Sequence, residues 1–440
     1  MLMKYFIETF GCQMNFHDSE RMAGLLEQAG YSQAEDVDDA DLVLLNTCSV
    51  REHAAEKLFS RLGELRQPEQ RGGQRPLIAV AGCVAQQEGS MILKRAPYVD
   101  VIIGTQAMRR LPALLAEVSR TGEHQVDVNP YEDPSFPLGL TRRSDPVKAY
   151  ITIVEGCNDF CSFCVVPYTR GHERMRAKAE VLSDVREAVA TGRKEVLLLG
   201  QIVNHDQAPD DPTCDFPALL EAVDAVPGVE RIRFASPHPR HTSGRLIAAI
   251  RDLPRVCKHL HLPVQSGSTR VLAAMRRRHT RDEYLDLVAR LRAEIPGIAL
   301  STDVIVGFPG ETSEDFEETL SLARLVRFHS MFSFKYSQRP NTLAAKRMPD
   351  DVSEAEKGSR LSALQALQRE IQLELNSQAV GGEVTVLVDS RSRRNEHELA
   401  GRTSGNTVVN FPGHPEWLGR TLAVRVLRAG PNSLWGEAVE

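Results

Sequence analysis

Short apolar runs alternate with amphipathic stretches along most of the chain. Over residues 1–118, "KYFIETFGC", "DLVLLNTC" and "PLIAVAGC" are runs of strand length, each closing on a Gly or Asn/Thr turn. Between them, "SERMAGLLEQAG" and "VREHAAEKLFSRLGEL" repeat their apolar positions at helical spacing. Strands alternating with amphipathic helices predict βαβ units on a parallel sheet. Residues 119–142 are rich in Pro, Asp and Gly and lack periodicity, so they read as a linker.

A second series occupies 143–376. Its six apolar runs are "AYITIVEGC", "EVLLLGQ", "RIRFASPHP", "KHLHLPVQSG", "ALSTDVIVGFPG" and "MFSFKYSQ", with helical segments between them. Six βα repeats fall short of a closed eightfold barrel and predict a partial (β/α)6 one. Ligands of such barrels bind at the strand C-termini. That makes the small or polar residues there, Gly200, Gln201, Ser236, Gln265, Ser266 and Gly307, candidate contacts for a cofactor. A long amphipathic helix follows, and residues 377–440 switch to short β patterns with Gly/Asn turns. These predict a small antiparallel β-barrel, OB-like in style. The fold class expected overall is α/β with this small barrel appended.

Charge and composition narrow the options. A net charge of −6 rules out a general basic field, so any nucleic-acid contact is local. The last segment is itself neutral, but "SRSRR" groups Arg391, Arg393 and Arg394, and with Arg402 these are candidate RNA-backbone contacts. No apolar run is long enough to span a bilayer, and the N-terminus lacks a cleavable signal pattern, so a cytoplasmic protein with no membrane association is expected. Eight cysteines in 440 residues are too few for a disulfide scaffold.

Six of the eight cysteines fall into two patterns. Cys157, Cys161 and Cys164 form C-x3-C-x2-C straight after the first strand of the second series. Structural zinc wants a fourth Cys or His nearby, and a disulfide would leave one thiol over. Iron–sulfur ligation is favoured over both, and three thiolates leave one iron of a [4Fe–4S] cube open. Cys12, Cys48 and Cys83 each follow a strand of the first series, 36 and 35 residues apart. Residues just past the ends of parallel strands converge on one crevice, so these three are expected to meet, although a cysteine at a strand end is also often merely buried. Cys214 and Cys257 fit neither pattern.

The motif C-x3-C-x-aromatic-C, with Phe163 in the aromatic slot, resembles the radical S-adenosylmethionine signature. With the N-terminal triad and the small C-terminal barrel, the whole chain resembles the radical S-adenosylmethionine methylthiotransferases. The segments "NTCSVREHAAEK", "GCVAQQEG", "CVVPYTRG", "HLPVQSGS", "VGFPGET" and "GRTSGNTVVNF" resemble the branch that modifies N6-dimethylallyladenosine in tRNA. Branches acting on threonylcarbamoyl-adenosine or on a ribosomal-protein aspartate are the alternative.

The resemblance implies two [4Fe–4S] clusters, one on Cys157, Cys161 and Cys164 and one on Cys12, Cys48 and Cys83. It implies S-adenosylmethionine at the open iron of the first, with Phe163 near its adenine. Two such molecules are used per turnover, one as methyl donor and one as the source of a 5′-deoxyadenosyl radical. It further implies a TRAM domain for RNA over 377–440, an anticodon-loop adenosine at position 37 as target, a flavodoxin- or ferredoxin-like reductant and a monomer. Arg170, Arg174 and Arg176 follow the cluster loop and are candidates for phosphate or carboxylate. Ile202, Asn341 and Leu343 depart from the family pattern, which usually has Asn, Gly and Pro at these places.

Overall fold

In a computed structural model, which describes residues 3–49, 52–66, 75–129, 141–392, 395 and 397–439, the apolar runs become strands and the amphipathic ones helices. The chain divides into two compact units. One comprises Met1–Ser144, Val154–Phe160 and Cys164–Arg176, and the other comprises Asp145–Ile153, Cys161–Phe163 and Ala177–Glu440. Among the described residues, no helix is long and apolar enough to cross a membrane.

The first unit is built on a six-stranded, wholly parallel sheet. Its strands are β1 (Lys4–Phe10), β2 (Ser32–Gln33), β3 (Leu42–Thr47), β4 (Leu77–Gly82), β5 (Val101–Ile103) and β6 (Gln125–Asp127), in the order β2-β1-β3-β4-β5-β6. Alternate side chains serve the two faces, as the two-residue period of a strand requires. Leu42 and Leu44 pack with Met22, Leu26, Leu111 and Leu115 of the helices Gln13–Gln28 and Leu111–Thr121. Val43 and Leu45 pack with Leu58 and Leu62 of the helix Glu52–Leu65 on the other face. Full burial of each such side chain contributes roughly 1.5–3 kcal/mol. Strand β6 lies inside the stretch that reads as a linker, because three residues are too short to display alternation.

In the second unit all six expected runs form strands: β7 (Lys148–Thr152), β8 (Glu195–Leu199), β9 (Arg231–Phe234), β10 (His259–His261), β11 (Ala299–Val306) and β12 (Ser330–Lys335). They make two parallel sheets, β9-β8-β7 and β10-β11-β12, and Ile232 of β9 forms an isolated parallel bridge with Val256, three residues before β10. The helix Glu354–Ser377 lies along β12, where Gln365 Nε2 donates to Ser333 Oγ at 3.3 Å.

The last segment closes into a barrel of β13 (Glu383–Arg391), β14 (Glu398–Thr403), β15 (Val408–Pro412), β16 (Thr421–Ala429) and β17 (Leu434–Ala438), ordered β13-β14-β15-β17-β16. The expectation of a purely antiparallel barrel needs correcting, since β15 and β17 pair in parallel. Five is an odd number, and strands alternating in direction around a closed ring must break the alternation at least once. The barrel meets the starts of β9 and β10. Arg233 donates to the carbonyls of Thr403 (2.6 Å) and Ser404 (3.0 Å), Arg231 to that of Arg402, and the Lys258 amide to Ser404 Oγ.

Two departures from the family pattern now have a reason. Asn341 sits at φ +69°, a left-handed conformation that Gly, and next best Asn, adopts. Leu343 opens the short helix Leu343–Arg347, the position where Pro is otherwise favoured. Ile202 is simply buried.

Candidate functional site

Cys48 and Cys83 immediately follow β3 and β4, and Cys12 follows β1 after Gly11; the three strands are neighbours in the sheet, so the three thiols emerge side by side. Two glycines let the chain through. A Cβ on Gly82, at φ +93°, would sit 2.5 Å from the Thr47 carbonyl, and one on Gly11 would strike the Asn15 side chain. Cys12 caps the helix Gln13–Gln28, with its thiol 3.2 Å from Asn15 Oδ1. A hydrogen bond from Cys48 holds the Cys12 thiol down at about 6 against the opposing effect of burial, with help from the positive Arg170. Cys83 is pushed up by burial, and Arg170 again opposes the shift. One guanidinium therefore faces two of the three thiols.

Arg170 is buried and bonded through Nη2 to Asp18 Oδ2 at 2.6 Å. Beside this pair, Glu155 receives Arg21 (3.0 Å) and Arg174 (3.2 Å). Arg176 is also buried. Of the three arginines expected to meet phosphate or a cofactor carboxylate, Arg170 and Arg174 are held in ion pairs inside the first unit. The charged residues of the helix Gln13–Gln28 were not legible as buried. In "SERMAGLL" the Ser-Glu-Arg triplet looks like a solvent face, yet Ser19, Glu20 and Arg21 are buried. A buried charge survives only with a partner, and here the partners come from more than 120 residues away.

Cys157, Cys161 and Cys164 divide between the units: Cys157 and Cys164 belong to the first, Cys161 to the second. The Cys157 amide donates to the Gly171 carbonyl at 3.1 Å. In the second unit, Ser162 anchors its short segment. Its amide donates to Met275 O, its hydroxyl to Ala274 O, and its carbonyl accepts from the Ala344 amide. Phe163 packs with Val271, Met275, Phe308, Tyr336 and Ala344. Cys161 receives a contact that the sequence did not announce: Arg277 Nη1 lies 3.7 Å from its sulfur.

The strand-end candidates of the second unit share a backbone signature. Ser236, Gln265 and Gly307 have φ of +61°, +78° and +69°, and non-glycine residues held this way concentrate at working sites. The Gly307 amide donates to Glu311, and Lys357 leaves no room for a Cβ there. Ser266 is fully buried, and Gln201 keeps a buried Oε1 with no hydrogen-bond partner. Gly200 ends β8.

Four histidines missed by the sequence reading gather in this unit: His205 stacks on His241 at 4.3 Å, and His238 lies 5.8 Å from both His241 and His279. No spacing rule joins residues from three separate segments, with only His238 and His241 on the same turn. Burial first, then Arg277, lowers His279 to about 4, and burial pushes His238 lower still. Both therefore fold as neutral rings. The stability they contribute is complete above the ordinary value near 6.5 and is lost as pH falls below it, down to about 4 for His279 and further still for His238. Thermal denaturation across that window should show a loss of about 2–3 kcal/mol from His279, which His279→Gln removes.

In the last barrel, Arg391 is exposed and Arg402 pairs with Asp389 at 3.3 Å. Arg393 and Arg394 lie outside the described residues. Cys214 and Cys257 are buried apart from both triads, and none of the eight cysteines is in a disulfide.

The donor set suits iron–sulfur ligation: three thiols on adjacent strand ends, one of them low in pKa, beside a fixed positive charge. Among the described residues, no group of three His, Cys, Asp or Glu is placed to hold a single metal ion. Ligands of a cluster each bind a different iron and so stand farther apart.

Residues 4–104 match the Uncharacterized protein family UPF0004, 151–323 the Radical SAM superfamily and 378–439 the TRAM domain. A tRNA-2-methylthio-N(6)-dimethylallyladenosine synthase of Chromobacterium violaceum is 47% identical over 100% of this chain and 99% of its own length. Proteins of that name from Thiobacillus denitrificans (47%, covering 100% and 98%) and Neisseria gonorrhoeae (44%, covering 100% of both) are also similar. Among solved structures, the radical S-adenosylmethionine methyltransferase TsrM from Kitasatospora setae, with cobalamin and a [4Fe-4S] cluster bound, superposes with a TM-score of 0.56. It is 14% identical and covers 78% of this chain and 74% of its own, a likeness of fold.

Proposed function

Since the chain belongs to the family of tRNA-2-methylthio-N(6)-dimethylallyladenosine synthases, we propose that it carries out their reaction, placing a methylthio group on carbon 2 of N6-dimethylallyladenosine in tRNA. The protein is a radical S-adenosylmethionine enzyme with a TRAM domain. The observation that carries the reading is the second triad. Cys12, Cys48 and Cys83 stand together beside Arg170, an arrangement that a radical core alone would not need.

Carbon 2 of adenine carries a C–H bond with no acidic proton and no leaving group, so neither proton transfer nor nucleophilic attack activates it. Cys157, Cys161 and Cys164 would hold one [4Fe–4S] cluster, and Cys12, Cys48 and Cys83 a second. When bound with S-adenosylmethionine, consumed twice per turnover, these groups supply a carbon radical and a methylated sulfur. The chain's own part is to hold and enclose. Phe163, Gly200, Gln201, Ser236, Gln265, Ser266 and Gly307 are the proposed contacts of the cofactor, and the left-handed backbone at three of them fixes the loops before it arrives. Arg170 keeps positive charge beside Cys12 and Cys83.

The target adenosine is position 37, next to the anticodon. Loops of this kind are read by splaying single bases out of the stack. Arg391, Arg393, Arg394 and Arg402 of the TRAM domain are the proposed contacts to the RNA backbone. A flavodoxin- or ferredoxin-like protein supplies electrons, and the enzyme works as a cytoplasmic monomer. The proposed organisation is an N-terminal domain over 1–118, a radical core over 143–376 and the TRAM domain over 377–440. The experiment is nucleoside analysis of RNA from a deletion strain. Loss of 2-methylthio-N6-dimethylallyladenosine is expected, whereas its persistence, with loss of a modified threonylcarbamoyl-adenosine or of a ribosomal-protein modification, overturns the reading.

A further inference from the structure

The run "MRRRHT" (275–280) follows the helix Thr269–Ala274 and makes an uncommon turn. Arg276 and Arg278 both have left-handed backbones, at φ +58° and +55°, with Arg277 between them. A left-handed conformation costs an ordinary side chain of order 1–2 kcal/mol, so a turn that uses two of them needs a compensating contact. Only the middle side chain goes inward, where Arg277 is 7% exposed. Its amide donates to Leu272 O at 2.9 Å, and its Nη2 donates to Pro263 O at 2.8 Å. Its Nη1 lies 3.7 Å from Cys161 Sγ, and its buried Nε has no hydrogen-bond partner. The helix that launches the turn also accepts, at Ala274 O, from the Ser162 hydroxyl. Cys161 and Arg277 are thus held by one small set of hydrogen bonds within the second unit.

We propose that Arg277 is a positioning residue for the radical-generating cluster. It donates to the Cys161 sulfur, fixes that ligand's direction and raises the cluster's reduction potential. The proposal rests on the reading that Cys161 is a cluster ligand. Reduction adds one electron, taken from a low-potential donor, and breaks no bond. Positive charge and N–H donation to a ligating sulfur stabilise the reduced, more negative cluster. The orphaned Nε faces the same low-dielectric surroundings, where a donor without an acceptor is expensive. A cluster sulfur or a group bound at the open iron would give it one.

The test uses the full chain carrying Cys12→Ala, Cys48→Ala and Cys83→Ala, so that a single cluster is reconstituted anaerobically. The cluster is titrated with dithionite and redox mediators, and the paramagnetic reduced form is read by electron spin resonance. At a fixed solution potential, Arg277→Met should lower the reduced-to-oxidised ratio about tenfold, which is about 59 mV for a one-electron couple. Arg277→Lys, which keeps the charge, should lower it less than threefold. If Arg277→Met fails to fold or to take up iron, Arg277→Gln serves instead. It retains a donor for the Pro263 carbonyl but no charge, and the same shift is required of it. An unshifted ratio in a variant that loads as much iron as its parent overturns the role of Arg277. A parent that yields no cluster signal contradicts the assignment of Cys161 as a ligand, a separate failure.

Discussion

Replacing Cys161 with alanine should abolish release of 5′-deoxyadenosine, whereas replacing Cys48 should abolish methylthiolation and leave that release measurable. Both losses should exceed the ~100-fold that removal of a supporting partner costs at a metal site, because on the proposed reading a ligand itself is removed. The two positions sit in different units, each anchored by its own hydrogen bonds. The Cys48 amide donates to Phe10 O at 2.9 Å, and Cys161 is followed by the triply bonded Ser162. Neither substitution removes a large side chain, so folding is a lesser concern than at a bulky core residue. Chromatography of deoxyadenosine and of digested tRNA from one reaction reads both outcomes. If the variants lose cofactor cleavage equally, the two triads do not divide the chemistry as proposed.

Arg170→Ala should destabilise the protein by about 3–5 kcal/mol, the usual result of stranding one member of a buried ion pair. Asp18 is 1% exposed, and its 2.6 Å bond to Arg170 is what compensates its burial. Burial, and after it the charge of Glu155, raises the Asp18 carboxyl, so in the variant it takes up a proton, which brings the cost to the lower end of that range at acidic pH. Urea unfolding of the two single variants and of Arg170→Ala/Asp18→Ala closes a double-mutant cycle. A coupling above about 1 kcal/mol is expected of contacting residues. Additive losses would mean that the pair does not support the fold. Arg170→Ala should also lower iron retention at the triad of Cys12, Cys48 and Cys83, since the same guanidinium faces Cys12 and Cys83.

The unequal legibility of these residues has a physical basis. Strand runs such as "DLVLLNTC" are buried on both faces, so continuous apolarity announces them, and the cysteines that end them follow from parallel-sheet geometry. The motif at 157–164 is local and reads directly. Arg277 is different, because nothing in three adjacent arginines says which one turns inward. That choice is made by two left-handed residues and by a carbonyl at Pro263. Arg170 was legible as a residue of interest, but its partner Asp18 lies 152 positions away on a helix whose charges look solvated. The histidine group is assembled from three separate segments. The parallel pair in the last barrel follows from counting its strands rather than from any residue pattern.

The most direct test of the central claim is mass spectrometry of tRNA bearing N6-dimethylallyladenosine after incubation with the reconstituted protein, S-adenosylmethionine and a low-potential reductant. The account predicts a nucleoside heavier by one methylthio group in place of one hydrogen, with fragmentation locating it on the base. It also predicts no such product from the Cys12→Ala, Cys48→Ala or Cys83→Ala proteins. Unchanged tRNA alongside vigorous release of 5′-deoxyadenosine, from protein with both clusters loaded, would contradict it.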